Sequence, residues 1–304
     1  MRPAGGTAWP LNLRNFPLDE LVSGLAAGAL ALLVATVQSR RHAHHVPVAG
    51  LVMTAAALVA IGRTWSVVPG ALLGLGGVAL TLAWLDWRRP RCGPSFTMGA
   101  VLIAPFAAVL ALDASPTGWV RGLVGAAVVL GATAASQTEA AWGDAGLPPV
   151  LYAITAAGVF AAVPDTEQAA VLLGASVPLG LAGWPLAHVR LGPAGAGAAV
   201  ALLVWVAAVG GRGREPSIVG AVACLGLLVT LPAGRWRARR PGRGGAVGRS
   251  QYVAILVVGV HLAVVAVASR VAGISSDLDV AATVAAATVL AALAAGAWLG
   301  GTRR

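Results

Sequence analysis

Residues 193–210 read PAGAGAAVALLVWVAAVG, eighteen consecutive positions without a charged side chain. A helix rises about 1.5 Å per residue, so such a run covers most of a hydrocarbon layer about 30 Å thick. Its opening proline stands where a helix has no partner for the amide hydrogen, so the missing donor costs least there.

Working outward, similar runs fill the chain. They are Leu18–Gln38, Val46–Gly62, Val67–Trp87, Phe96–Leu112, Trp119–Gln137, Pro148–Val163 and Glu167–His188 before it, then Ser217–Ala233, Gln251–Ser269 and Leu278–Leu299 after it. The composition leaves little alternative. Residues AVILMFWYC make up 58% of the 304 positions and 40 more are glycine, against about 45–50% apolar in a soluble domain. Charged residues are 11% and fall between the runs rather than inside them, the segregation that lipid imposes. The expected fold is therefore an all-α integral membrane protein, a polytopic bundle of about 11 transmembrane helices.

Orientation follows from arginine, since no lysine is present. With the N-terminus outside, the inner loops hold Arg40, Arg41, Arg88, Arg89, Arg91, Arg190, Arg235, Arg237, Arg239, Arg240, Arg243, Arg249, Arg303 and Arg304. The outer segments hold Arg2, Arg14, Arg63, Arg121, Arg212, Arg214 and Arg270, half as many. Cytoplasmic loops retain positive charge during insertion, so the C-terminus is expected in the cytoplasm of a multi-pass plasma-membrane protein. Trp65, Trp84, Trp87, Trp119, Trp142, Trp184, Trp236 and Trp298 lie near run ends and Trp205 in the outer third of its run, as the headgroup preference of indole predicts.

Four regions result: an extracytoplasmic segment 1–17, a bundle of about nine spans at 18–233, an Arg/Gly-rich cytoplasmic linker at 234–250, and a two-span hairpin with a short basic tail at 251–304. The linker is too short and too polar to fold alone. Arg40, Arg41, Arg235, Arg237, Arg239 and Arg240 are expected to meet anionic lipid. The linker also offers a surface for a protein partner, and it lacks the interleaved aromatics that stack nucleic-acid bases.

Chemistry-bearing positions are sparse. His261 stands near the middle of its run, where an imidazole needs a polar partner from another helix, either as a packed interface group or as part of a path. Thr133, Ser136, Gln137, Thr138 and Glu139 crowd the inner end of the fifth run; Thr133 and Gln137 share a helix face and make a polar path ending at Glu139 the functional reading, a solvated helix end the plain one. Pro105 and Pro178 fall mid-run, where a proline frees a carbonyl. Gly24/Gly28, Gly70/Gly74 and Gly296/Gly300 are small pairs one turn apart, suited to helix contact. Asp165 with Gln168 reads as a cap for the seventh run. The three histidines at 42, 44 and 45 follow two arginines, which repel a cation, so no metal site is assigned.

There is no HExxH, GxSxG or P-loop pattern, so no catalytic residues and no cofactor are assigned. A transporter or permease-like protein for a small solute or lipid-linked compound ranks first, its path candidates being His261, Glu139, Gln137, Thr133, Pro105 and Pro178. The alternatives are a non-catalytic membrane subunit of a larger complex and a membrane-embedded enzyme acting on a lipid substrate.

Overall fold

A computed structural model describes residues 17–41, 48–88, 96–114, 118–142, 146–163, 167–183, 189–211, 215–225, 258–259 and 261–268. Among these residues every regular element is helical. The elements are α1 (Leu18–Arg41), α2 (Ala49–Thr64), α3 (Pro69–Arg88), α4 (Phe96–Ala114), α5 (Gly118–Trp142), α6 (Leu147–Ala162), α7 (Glu167–Gly183), α8 (Pro193–Gly210) and α9 (Glu215–Ala223). Residues 258–259 and 261–268 are also helical. Five of these helices, α1, α3, α4, α5 and α8, are long and apolar enough to cross a membrane, and α2 and α6 are shorter apolar helices. The run expected at Leu278–Leu299 and the linker lie outside the described residues.

The expected run at 193–210 coincides with α8, and every residue from Ala194 to Gly210 is buried. A helix that is apolar all round has no face for water or for headgroups and belongs at the centre. Accordingly α2, α3 and α5 pack around α8, α4 bridges α3 and α5, and α1, α6 and α7 form the other flank. Around this core lies an apolar exterior: Leu33, Val59, Leu80, Val101, Leu112 and Leu181 all stand exposed, as side chains facing lipid do.

Contacts fix how the helices run. Gly50 of α2 abuts Gly195 of α8 while Trp65, just past α2, lies against Trp205 of α8, so these two helices are parallel. In α5, Gly131 meets Val200 and Glu139 meets Gly192, so α5 opposes α8. The same comparison makes α1 parallel to α7, α3 antiparallel to α4, α4 to α5, and α6 to α7. Thr155 and Gly158 of α6 meet His261 and Val265, so residues 261–268 run with α6. Helices α1, α3, α5 and α7 thus run one way and α2, α4, α6, α8 and residues 261–268 the other. One pole holds the starts of α2, α6 and α8 and the ends of α5 and α7; the opposite pole holds the ends of α2, α4 and α8.

Close packing is achieved through small residues. Gly24 and Gly28 of α1 lie against Val171, Ala175 and Pro178 of α7, and Gly74 and Gly77 of α3 against Phe106 and Leu110 of α4. Gly180 and Gly183, which follow the mid-helix Pro178, receive Ala153 and Pro149 of α6. The mid-helix prolines do not end their helices: α4 continues past Pro105 and α7 past Pro178. Gly70 has only an ordinary contact with Val109, and Gly296/Gly300 lie outside the described residues.

Hydroxyls inside the bundle donate to carbonyls of their own helix. Thr54 donates to Gly50, Thr133 to Val129, Thr155 to Leu151 and Ser176 to Leu173, at 2.6–2.8 Å. Where no water is at hand, that local bond is how a threonine or serine is accommodated in a helix.

Candidate functional site

At the pole where α2 and α8 begin, two helix N-termini lie side by side. Gly50 N–H donates to the Leu191 carbonyl at 3.0 Å, and neither Val48 nor Gly192 caps its helix with a side chain. Unpaired N–H groups and aligned peptide dipoles give such a place a positive potential. Gly192 takes φ 79°, a left-handed conformation that glycine adopts without a Cβ penalty. Its N–H donates to Oε1 of Glu139 at 3.1 Å.

Glu139 is the buried acid among the described residues, 4% exposed. Helix α5 extends to Trp142, beyond the Gln137 end expected from sequence, so Glu139 lies inside the helix and not at a solvated tip. Its second oxygen, Oε2, is buried without a hydrogen-bond partner, and so is Oγ of Ser136 one turn back. Ala132, a further turn along, lies against Gly197 of α8, so the 132–136–139 face of α5 is the one turned to the first turns of α8. Thr133 points elsewhere, its methyl group 3.0 Å from where a Cβ on Gly99 of α4 would stand. Gln137 is half-buried. Arg190, just before α8, acts on the Glu139 carboxylate electrostatically.

His261 occupies a different place. Fully buried, it places Nε2 2.8 Å from Oγ1 of Thr155 in α6. Since the Thr155 hydroxyl gives its hydrogen to Leu151 at 2.8 Å, its oxygen can accept from the imidazole, which assigns the ring proton to Nε2. Nδ1 is then a bare lone pair, buried and without a partner. Tyr152 Oη and Gln168 Oε1 are buried and unpartnered as well. Asp165, expected to pair with Gln168 as a cap, lies outside the described residues.

The opposite pole is organised by Trp205, completely buried in α8. Its indole N–H donates to Oδ2 of Asp113 at the end of α4, 2.8 Å away, and its ring lies 5.3 Å from that of Trp65. Sequence placed Trp205 with the headgroup-level tryptophans; inside the bundle a carboxylate supplies the partner that water would give an interfacial indole. Trp84, Trp87 and Trp119 are exposed on the exterior, with Arg88 4.5 Å over the Trp84 ring. Neither the Trp205–Asp113 pair nor the Thr155–His261 pair is signalled by sequence spacing, because each joins helices far apart in the chain.

A groove of about 600 Å³ runs along the exterior between α4 and α5, lined by Ala104, Ala108, Leu112, Gly122, Ala126 and Leu130 with Arg121 at one end. Pro105 is exposed on α4 near it, whereas Pro178 is packed against Gly28. Of the other predicted positions, Arg40 and Arg41 form the last turn of α1, and Arg235, Arg237, Arg239, Arg240 and the three histidines at 42, 44 and 45 lie outside the described residues. Among the described residues no group of three or more His, Cys, Asp or Glu could hold a metal ion. No protein-family model matches the chain, and no curated protein matches it either.

Proposed function

We propose that the protein is a carrier in the plasma membrane for a small solute or a lipid-linked compound, with about eleven spans, the N-terminus outside and the C-terminus in the cytoplasm. The observation that carries the reading is Glu139: a carboxylate with one unsatisfied oxygen, enclosed among apolar helices at the converging N-termini of α2 and α8. An ionisable group in such surroundings is expensive and marks a path or a coupling site more often than a scaffold contact. Alternating helix directions support the even–odd order of spans, and the twofold arginine excess on one side of that order supports its orientation.

The polar groups are distributed along the bundle, with Glu139 at one pole, His261 on Thr155, and Asp113 at the other pole. That spacing suits a route crossed in steps better than a single catalytic cluster, which needs its acids and bases within reach of one reacting atom. The groove with Arg121 at its end favours the lipid-linked branch of the proposal, because an acyl chain fits an apolar trough and an anionic headgroup fits its cationic end.

The test is a flux measurement. The full-length protein in liposomes is screened with mixtures of small solutes and of fluorescent lipid analogues, following loss from the lumen or change of leaflet. The proposal expects at least one class to move with wild type and at least tenfold more slowly with Glu139→Gln. Equal rates in protein-free liposomes and wild type across both mixtures overturn it.

A further inference from the structure

We propose that Glu139 Oε2 and Ser136 Oγ together form a proton-binding site, the place where this bundle takes up and releases a single proton. The site deepens the carrier reading and rests on it for its purpose.

Two buried oxygens, one turn apart on the same face of α5, lack hydrogen-bond partners. Side chains three apart on a helix stand about 5–6 Å apart at Cβ, so a carboxyl oxygen and a hydroxyl reaching toward each other close to bonding distance. An unpaired buried oxygen costs more than a bond returns, and a proton on Oε2 removes the cost at both atoms: the new O–H donates to Ser136 Oγ. Uptake forms one O–H bond and turns the carboxylate into a neutral carboxylic acid; release breaks that bond and returns the proton to water at this pole.

Oε1 meanwhile holds the Gly192 N–H at 3.1 Å. The charge on the carboxylate strengthens that bond and its attraction to the α8 N-terminus, so protonation loosens the α5–α8 contact. A proton therefore couples to a helix contact at the centre of the bundle.

The charges facing the site are few. Arg190 acts on Glu139 from the segment entering α8. Helix α8 has no titratable side chain, α4 has only Asp113 and α9 only Glu215, both at the opposite pole, and α6 presents Tyr152.

The proposal is tested by infrared difference spectroscopy of the full-length protein in lipid nanodiscs during pH titration, without any solute. Wild type is expected to gain a protonated-carboxyl carbonyl band on acidification, shifting in heavy water. Glu139→Gln loses that band, Glu139→Asp keeps one, and Ser136→Ala keeps it with its midpoint moved by about one pH unit, a tenfold change in proton affinity. A band that survives in Glu139→Gln, or a midpoint unmoved in Ser136→Ala, overturns the site. Glu139→Asp, retaining the carboxyl, separates loss of the proton from loss of the fold. Because no solute is present, a missing band removes the proton site and leaves the carrier reading standing, whereas a band without any solute or lipid flux removes the carrier reading alone.

Discussion

Gly24 of α1 and Gly174 of α7 meet backbone to backbone: a Cβ on Gly174 would stand 3.0 Å from the Gly24 Cα. The contact is reciprocal. A Cβ on Gly24 falls on the carbonyl of Val171, three residues before Gly174, and a Cβ on Gly174 falls on the carbonyl of Leu21, three residues before Gly24. Two parallel helices thus cross about a local twofold axis that only hydrogen side chains permit.

Gly24→Ala and Gly174→Ala each force backbone apart and are expected to destabilise the protein by about 1–3 kcal/mol, the usual cost of overpacking. Gly76→Ala is the control, since a Cβ there meets nothing within 4 Å; helix propensity makes it neutral or stabilising by up to about 1 kcal/mol. Thermal unfolding in detergent distinguishes them, and a Gly174→Ala protein as stable as Gly76→Ala contradicts the crossing.

Thr155→Val keeps the shape of α6 and leaves His261 Nε2–H with nothing to donate to. An orphaned buried donor costs about 1–3 kcal/mol, whereas Thr155→Ser preserves the hydroxyl and loses less. The ranking by chemical denaturation should be Val well below Ser, and equal stabilities would show that the imidazole does not use this oxygen.

Asymmetry is expected at Trp205 and Asp113. Trp205→Phe removes the donor from a carboxylate that is only partly buried, and Asp113 then finds water, for a cost of about 1 kcal/mol. Asp113→Ala strands a fully buried indole N–H and costs about 1–3 kcal/mol. A double-mutant cycle should give a coupling energy of about 0.5 kcal/mol or more; additivity would deny the bond.

Single cysteines at Asn15 and Gly242, in a background with Cys92 and Cys224 replaced by Ala, test sidedness. With an impermeant maleimide on intact cells, Asn15→Cys is expected to label and Gly242→Cys only after permeabilisation. The reverse pattern would invert the orientation.

How much of this was written in the chain varies with distance along it. The helix at 193–210 was legible from end to end because lipid selects on composition alone, and one residue's hydrophobicity does not depend on its neighbours' coordinates. Gly24/Gly28 was legible as a contact pair but not its partner, since Gly174 lies a hundred and fifty positions on and close approach leaves no local periodic signal. Glu139 was visible as an acid at a run's end, yet its burial was not: a further turn of α5 and the positive φ of Gly192 decide whether water reaches it. Trp205 was misplaced because tryptophan suits a headgroup layer and a core equally, and a carboxylate ninety-two residues away makes the difference.

The enclosure of α8 bears on how the protein is made. Synthesis delivers α2, α3 and α5 to the bilayer before α8 emerges from the ribosome, so the earlier segments cannot seal against one another without shutting out the last arrival. They must wait as a loose horseshoe, held open by lipid, until a late and thin-walled segment of alanine, glycine and valine slides in and displaces it. Its small side chains make that entry sterically cheap, and assembly of the whole molecule is gated by a segment that no ligand or headgroup ever touches.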